Sequence, residues 1–220
     1  MEVKYLLKDN YINVGGSYGG SQTFFRNDLG LLNKSREKGG CGIVALTDII
    51  LYLSKVKTVN TQSEYKKLFK TTAKMIGWFP VKFGMNFVHQ VMGLRILLLY
   101  NRLNFKCSWC FSKRKMYKRI KEMINNDIPV IMCIPKVIGF NKEHDNLAFY
   151  DEKLTAVSGA NGHFVVVTGI YTHPFNDEIY LSISSWGKKY YINLNEYLFF
   201  SKRHLMGIAG NIMKITKGKN

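Results

Sequence analysis

The sequence predicts an α+β fold in which a helical half precedes a half built of antiparallel strands. Apolar residues recur at helical spacing from Cys41 to about Asn126. After that point, β-branched and aromatic residues form short runs bounded by prolines, glycines or polar turns. A series of helices followed by a series of strands is typical of the α+β class. Because 220 residues suffice for one sizeable core, we expect a single domain.

The domain is expected to have three parts. Residues 1–38 are interpreted as an irregular lead-in, because they are rich in glycine and show little apolar periodicity. The mainly helical half should then cover residues 39–127. The mainly β half should cover residues 128–220.

Four helices are predicted. The first begins at or next to Cys41, where a largely apolar run starts. The second begins at Thr61, because Thr61 and Glu64 have the spacing of a capping box. The third covers about residues 86–103. The fourth, about residues 112–126, is amphipathic with a basic face.

Five strands are predicted after the helices, each rich in β-branched or aromatic residues. Two prolines bound the first of them, which is typical of a short strand. The predicted strands are residues 129–135, 163–170, 179–184, 188–192 and about 208–215.

The chain is strongly basic, with 32 Lys and Arg against 15 Asp and Glu and a net charge of +17. Such a charge raises the possibility of nucleic-acid binding. However, 25 of the basic residues are lysines, only 7 are arginines, and they are scattered along the chain. The dense cluster at residues 113–121 is interpreted as a solvated helix face rather than a nucleic-acid or membrane patch. Nucleic-acid binding stays open as a minor alternative.

The sequence also indicates where the protein is located and whether its cysteines are reduced. No apolar stretch approaches the ~20 residues of a membrane span, and the N-terminal apolar run is too short for a signal peptide. We therefore expect a cytoplasmic protein, or a secreted one whose signal has been removed. Its cysteines are too sparse for a disulfide scaffold, so we expect reduced thiols. They are Cys41, Cys107, Cys110 and Cys133.

Cys41 is a candidate nucleophile. It follows Gly39 and Gly40 at the predicted start of a buried helix. Helix N-termini favour negative charge, so we expect the pKa of this thiol to lie below that of a free cysteine. The alternative is a small buried residue without chemistry. The other close pair, Cys107 and Cys110, is interpreted as part of a strand and turn, because no second ligand pair stands nearby.

His163 is the candidate base. It heads the most strongly predicted strand and follows the turn-forming residues 158–162. The next strand ends at Ser184, and adjacent antiparallel strands bring such positions near each other. We therefore expect His163 and Ser184 to be neighbours, although a core histidine with satisfied hydrogen bonds is the alternative.

Together these residues resemble the papain-like cysteine peptidases, most closely the bacterial peptidase family thirty-nine group, whose founding members trim double-glycine leader peptides. The resemblance covers most of the chain after Lys38. It is carried by Cys41 with its flanking glycines and by three segments, residues 125–131, 162–169 and 185–198. The histidine segment is the most specific of these.

The resemblance implies a papain-like fold with a cleft between the two halves, in which Cys41 attacks a peptide or amide carbonyl and His163 transfers the proton. Neither a metal nor an organic cofactor is implied. Ser184 stands where the family has an Asn or Asp, and Ser35 stands where it has an oxyanion-binding Gln. The residues expected at the oxyanion or the bound substrate are Ser35, Gly40, Gly162 and Trp186.

Two function classes follow. The first is a cysteine peptidase or related acyl-transfer enzyme that acts on a peptide or protein substrate. The second is a catalytically impaired domain of the same fold that binds peptides or serves as an adaptor, because both Ser184 and Ser35 depart from the family pattern.

Overall fold

The computed structural model describes residues 1–77, 85–110, 112–136, 146–202 and 211–218, and it has the predicted α+β architecture. Within these ranges, two short 3-10 helices also occur, at Gln22–Phe25 and Lys113–Lys115. The α-helices of the described residues are α1 (Leu31–Gly39), α2 (Cys41–Leu53), α3 (Gln62–Met75), α4 (Phe87–Tyr100), α5 (Met116–Asn125) and α6 (Leu194–Lys202).

The strands include the five that were predicted, with small shifts at their ends. Residues 208–210 of the last predicted strand lie outside the described residues. The strands are β1 (Glu2–Leu6), β2 (Asn13–Val14), β3 (Ser17–Tyr18), β4 (Thr58–Val59), β5 (Phe105–Cys110), β6 (Val130–Ile134), β7 (Leu147–Tyr150), β8 (Ala156–Ala160), β9 (His163–Thr172), β10 (Ile179–Ser185), β11 (Lys188–Asn193) and β12 (Ile212–Lys217).

The main sheet is built around β9. Within the described ranges its strand order is β5, β12, β6, β9, β10, β11, β7, β8, and β1 also pairs with β9. The pairings of β9 with β6, β10 and β1 are antiparallel. All residues of β9 except Thr172 are buried, which explains its run of consecutive valines, because a strand covered on both faces has no polar alternation. A small sheet joins β3, β2 and β4.

The chain forms two compact units. The helical unit consists of Asn10–Ser108, Ser185–Lys188 and Ile215–Asn220, and it holds α1 to α4. The sheet unit consists of Met1–Asp9, Trp109–Ser184 and Lys189–Lys214, and it holds β1, most of the main sheet, α5 and α6. The expected division at residues 127 and 128 therefore differs from the observed grouping, in which segments distant in sequence share one unit.

The core of the helical unit is α2. Every residue of this helix except Ile50 is buried. A helix that is apolar on all sides is expected inside a core, and α2 packs against both α3 and α4. The residue at the start of α2 is thereby held by a rigid element.

The helix ends follow the capping signals of the sequence. Thr61 Oγ1 accepts a hydrogen bond from the Glu64 amide at 3.1 Å, which confirms the predicted start of α3. The third predicted helix, α4, ends at Tyr100 rather than near residue 103. Arg102 is in the left-handed region at φ 52°, and the Leu103 amide donates to the Leu98 carbonyl at 2.9 Å, which closes the helix.

The lead-in is more regular than the sequence indicates. Its first residues form β1, which pairs with β9 from Glu2 opposite Thr172 onward. Its last residues form α1, which follows Gly30 without a side-chain cap. A strand this short and a helix with this many polar residues give no clear periodic signal, so local patterns do not reveal them.

No helix in the described part of the chain is long and apolar enough to cross a membrane.

Candidate functional site

Cys41 is the first residue of α2, as predicted. Gly40 is at once the last cap of α1 and the first cap of α2, so a single residue separates the two helices. The Gly40 amide donates to the Arg36 carbonyl at 2.9 Å. A Cβ atom at position 40 would lie 2.3 Å from the same carbonyl oxygen, so only glycine fits this junction.

The residue after Cys41 is also tightly enclosed. A Cβ atom on Gly42 would lie 2.4 Å from Gln90 Nε2 and 2.8 Å from Met85 Sδ. Gln90 is fully buried, and its Nε2 donates to Met85 Sδ at 3.6 Å. The backbone of Cys41 is therefore fixed by α1 on one side and by the start of α4 on the other. The Cys41 side chain is largely buried, with 9% of the residue exposed.

His163 is the first residue of β9 and pairs with Ile134 of β6. Gly162 precedes it in the left-handed region at φ +72°, and the Gly162 amide donates to the Pro135 carbonyl at 3.3 Å. His163 is 7% exposed, and this burial lowers its pKa to about 4, because a charged imidazolium is disfavoured away from water. The imidazole is therefore neutral at pH 7, and burial makes it a weaker base than a free imidazole.

Ser184 lies on β10, the strand next to His163's strand, as expected. Its partner in the ladder is Val166, three residues along β9 from His163. Residues an odd number of positions apart on a regular strand point to opposite faces. The register therefore puts the two residues on adjacent strands, without making Ser184 the direct cross-strand partner of His163.

Trp186 and Gly187 form the tight turn between β10 and β11. Both have positive φ, 49° and 74°, as in the two-residue hairpin turns that match the strand twist. A bulky residue such as tryptophan is rarely found in this region, so the turn is strained. The Gly187 carbonyl accepts a hydrogen bond from the Tyr18 amide at 2.8 Å. This bond connects the turn to the glycine-rich segment of the helical unit, residues 15–21.

A buried carboxylate in the helical unit was not found from the sequence. Asp48 of α2 is fully buried and accepts from Tyr65 Oη at 2.6 Å and Tyr11 Oη at 3.0 Å. It also accepts from the Gly20 amide, at 3.0 Å and 3.3 Å to its two oxygens. Burial raises the pKa of Asp48 to about 6, although the three sets of hydrogen bonds work in the opposite direction.

This carboxylate attaches the glycine-rich segment to the helix that begins with Cys41. Gly20 approaches so closely that a Cβ atom there would overlap the Tyr65 ring, at 1.9 Å. Directly after Gly20, Ser21 caps the short 3-10 helix by accepting from the Thr23 amide. Gln22 follows and is buried, with 6% of the residue exposed.

Gln22 is thus a buried polar residue that the sequence alone did not indicate. The feature of the sequence that could have drawn attention to Gln22 is its position directly after Gly-Gly-Ser in the lead-in, nineteen positions before Cys41. The family resemblance instead implies that the oxyanion position, six residues before Cys41, is Ser35. Ser35 lies in the middle of α1 and is half-buried.

The candidate residues fall into two groups. The helical unit contains Ser35, Gly40, Cys41 and Trp186, and the sheet unit contains Gly162, His163 and Ser184. Within the described ranges, no cluster of three or more His, Cys, Asp or Glu side chains is placed to hold a metal ion. The polar residues Glu143, His144 and Asp145, which the sequence predicts to be part of a solvated loop, lie outside the described residues.

The Cys107 and Cys110 pair lies in β5, which confirms the strand interpretation. The two positions are an odd number of residues apart, so a regular strand directs them to opposite faces. Cys107 Sγ donates to the Val91 carbonyl at 3.6 Å, and the Arg119 guanidinium contacts Cys110 Sγ. These contacts favour structural roles for both thiols.

Comparisons of the chain with protein-family models, with curated proteins and with solved structures give no significant match.

The Asp48 carboxyl should make stability depend on pH. Because its pKa rises from an ordinary value of 3.8 to about 6 in the fold, its contribution is fully present below pH 3.8 and is lost as the pH rises through 6. A shift of this size corresponds to about 3 kcal/mol. Denaturant unfolding of the wild type and Asp48→Asn between pH 4 and 8 should show the wild type losing stability relative to the variant as pH rises.

Asp177→Asn is the matched control for this change. Asp177 is an exposed carboxylate in a turn at φ 55°, a conformation that asparagine also adopts readily. Its free-energy difference from wild type should stay nearly constant across the same range. A constant difference for Asp48→Asn as well would show that Asp48 does not titrate with a raised pKa.

His163 should produce the opposite pH dependence. Its pKa falls from 6.5 to about 4 on folding, so its contribution is present above pH 6.5 and is lost as the pH falls through 4. The shift corresponds to about 3 kcal/mol. Between pH 6.5 and 4, the wild type should lose that much stability relative to His163→Gln, as measured by denaturant unfolding.

The half-buried His173 provides the control for His163. His173→Gln removes an imidazole from the turn after β9 and should leave the acid dependence of the wild type in place. If His163→Gln retains that same dependence, the imidazole of His163 is not held neutral by burial.

Proposed function

We propose that the chain is a papain-like thiol hydrolase or acyl transferase that acts on a peptide or amide bond, with Cys41 as nucleophile and His163 as base. The observation that carries the proposal is the position of Cys41 as the first residue of the buried helix α2, because helix N-termini favour the thiolate form of a cysteine. His163 heads strand β9 directly after the turn at Gly162, which offers a candidate base.

In the proposed reaction, His163 takes the proton of the Cys41 thiol as the sulfur attacks the carbonyl carbon of the substrate. The carbonyl then re-forms, the bond to the leaving amine breaks, and the imidazolium gives its proton to that amine. The acyl group is left on Cys41 as a thioester. Attack by water completes a hydrolysis, and attack by another amine completes a transfer, with His163 again accepting and returning the proton.

The developing negative charge on the substrate oxygen requires donors, and we assign Gln22 rather than Ser35 to that role. A glutamine amide offers two N–H donors, whereas a serine hydroxyl offers one. Gln22 is more deeply buried than Ser35, and the Asp48 bonds to Gly20 restrain the segment that carries it. A preorganised donor of this kind stabilises the transition state without reorganisation during the reaction.

A peptide-binding or adaptor module is the second candidate, and the Ser184 register favours it. Ser184 pairs with Val166, and its hydroxyl carries no charge to stabilise an imidazolium. In that case Cys41 and His163 keep their structural positions, and no proton transfer occurs between them. The alkylation experiment below separates the two candidates.

The dyad should make Cys41 the most reactive thiol even though it is not the most exposed. Cys133 is half-buried, whereas Cys41, Cys107 and Cys110 are all buried. If access alone set the rate, iodoacetamide would therefore modify Cys133 first. A functional dyad instead predicts fastest modification at Cys41, at pH values well below the free-thiol pKa of ~8.5. Peptide mass spectrometry over a pH series measures each rate.

His163→Ala should abolish the fast reaction of Cys41, because the base that accepts its proton is gone. His173→Ala is the control and should leave the profile unchanged. Preferential reaction of Cys133, together with no effect of His163→Ala on Cys41, would exclude the dyad and leave the binding-module alternative.

Gln22→Ala should lower kcat/KM on a set of fluorogenic peptides by ~10²–10³, the usual cost of one lost oxyanion donor. Ser35→Ala, on the half-buried face of α1, should change it less than about threefold by the same reasoning. The reverse order of effects would restore Ser35 as the oxyanion residue and overturn the assignment of Gln22.

A further inference from the structure

The α4 helix carries a row of apolar side chains on its outer face. They recur at helical spacing, so they form one continuous ridge along the helix. Their exposed fractions range from 40% to 81%. The members of this α4 ridge are Val88, Met92, Ile96, Leu99 and Tyr100.

Within the described residues, α4 packs on its neighbours through its other face. The inner face of α4 is formed by Gly93, Leu94, Leu97 and Leu98, which are buried. Gly93 lies so close to the core that a Cβ atom there would be 3.1 Å from Leu46. A 14-residue helix is about 21 Å long, and an apolar strip of that length is unusual on a free surface and marks an interaction site.

The charged residues of the segment that carries the α4 ridge are all basic. Residues 85–110 contain no Asp or Glu, and Arg95, Arg102 and Lys106 are exposed there. The whole chain carries a charge of +17. A second copy of the chain would bring like charges together at the ridge, so self-association is disfavoured. The complementary partner is anionic.

The distribution of charge distinguishes an extended anionic surface from a small acidic helix. A partner helix would need paired charges along both flanks of the ridge, and within α4 Arg95 is the only Lys, Arg, Asp or Glu residue. Arg102 and Lys106 are exposed and follow the ridge directly in sequence, with no acidic residue between them, which suits attraction to a layer of phosphate groups. Tyrosine prefers the membrane interface, and Tyr100 stands at the end of the ridge.

We propose that the α4 ridge is a docking surface for an anionic lipid bilayer, with Leu99 and Tyr100 entering the interface while nearby basic side chains contact the lipid phosphates. This site is independent of the proposed catalytic function. An exposed apolar surface with basic residues beside it binds a bilayer through buried apolar area together with attraction to anionic lipid.

Co-sedimentation with vesicles tests the proposal on the full chain. The wild type should bind vesicles of phosphatidylcholine and phosphatidylglycerol at a 7:3 ratio about tenfold more strongly than vesicles of phosphatidylcholine alone. The Leu99→Ser, Tyr100→Ser double variant should reduce binding to the anionic vesicles by about tenfold. Raising the salt concentration should weaken the binding of the wild type.

The matched control is the double variant Phe175→Ser, Phe199→Ser, in the sheet unit. Those side chains are 92% and 71% exposed, against 81% and 71% for Leu99 and Tyr100, so the loss of exposed apolar surface is similar. The control should bind vesicles as the wild type does. Equal binding by the ridge variant and the wild type would overturn the proposal, and so would a vesicle-free dimer that the ridge variant abolishes in sedimentation velocity.

Discussion

The set of hydrogen bonds to the Asp48 carboxylate is the interaction on which the helical unit depends. The glycine-rich segment, residues 15–21, contributes little apolar surface of its own, since Tyr18 is its only large side chain. Two tyrosine hydroxyls and one backbone amide converge on Asp48 instead. An ionised carboxylate buried without such donors would be very costly, so the segment and the carboxylate stabilise each other.

The sheet unit contains a buried titratable group of a different kind, the imidazole of His163. His163 is surrounded by buried strands, and the protein avoids the cost of a buried positive charge by keeping the imidazole neutral. A general base works best when its pKa lies near the working pH, whereas burial moves the pKa of His163 well below 7. Burial by itself is therefore the property of a core histidine, and a base requires in addition a thiol within hydrogen-bond reach.

Local signals in the sequence predicted the elements that depend on near neighbours. The start of α2 at Cys41, the capping of α3 by Thr61 and the start of β9 at His163 all follow from a few adjacent residues. Asp48 could not be found this way, because its partner Tyr11 is 37 positions away. Gln22 is in the same class, since only the fold shows that a lead-in glutamine is buried. Strand β1 was missed because its partner lies at the far end of β9.

Gly40 gives the helical unit an unusual mechanical property. Because Gly40 caps both the end of α1 and the start of α2, no flexible loop separates the two helices. A change in the tilt of α1 would therefore rotate the peptide group that leads directly into Cys41. The orientation of the Cys41 thiol thus depends on the position of α1, although the two helices share only this one residue.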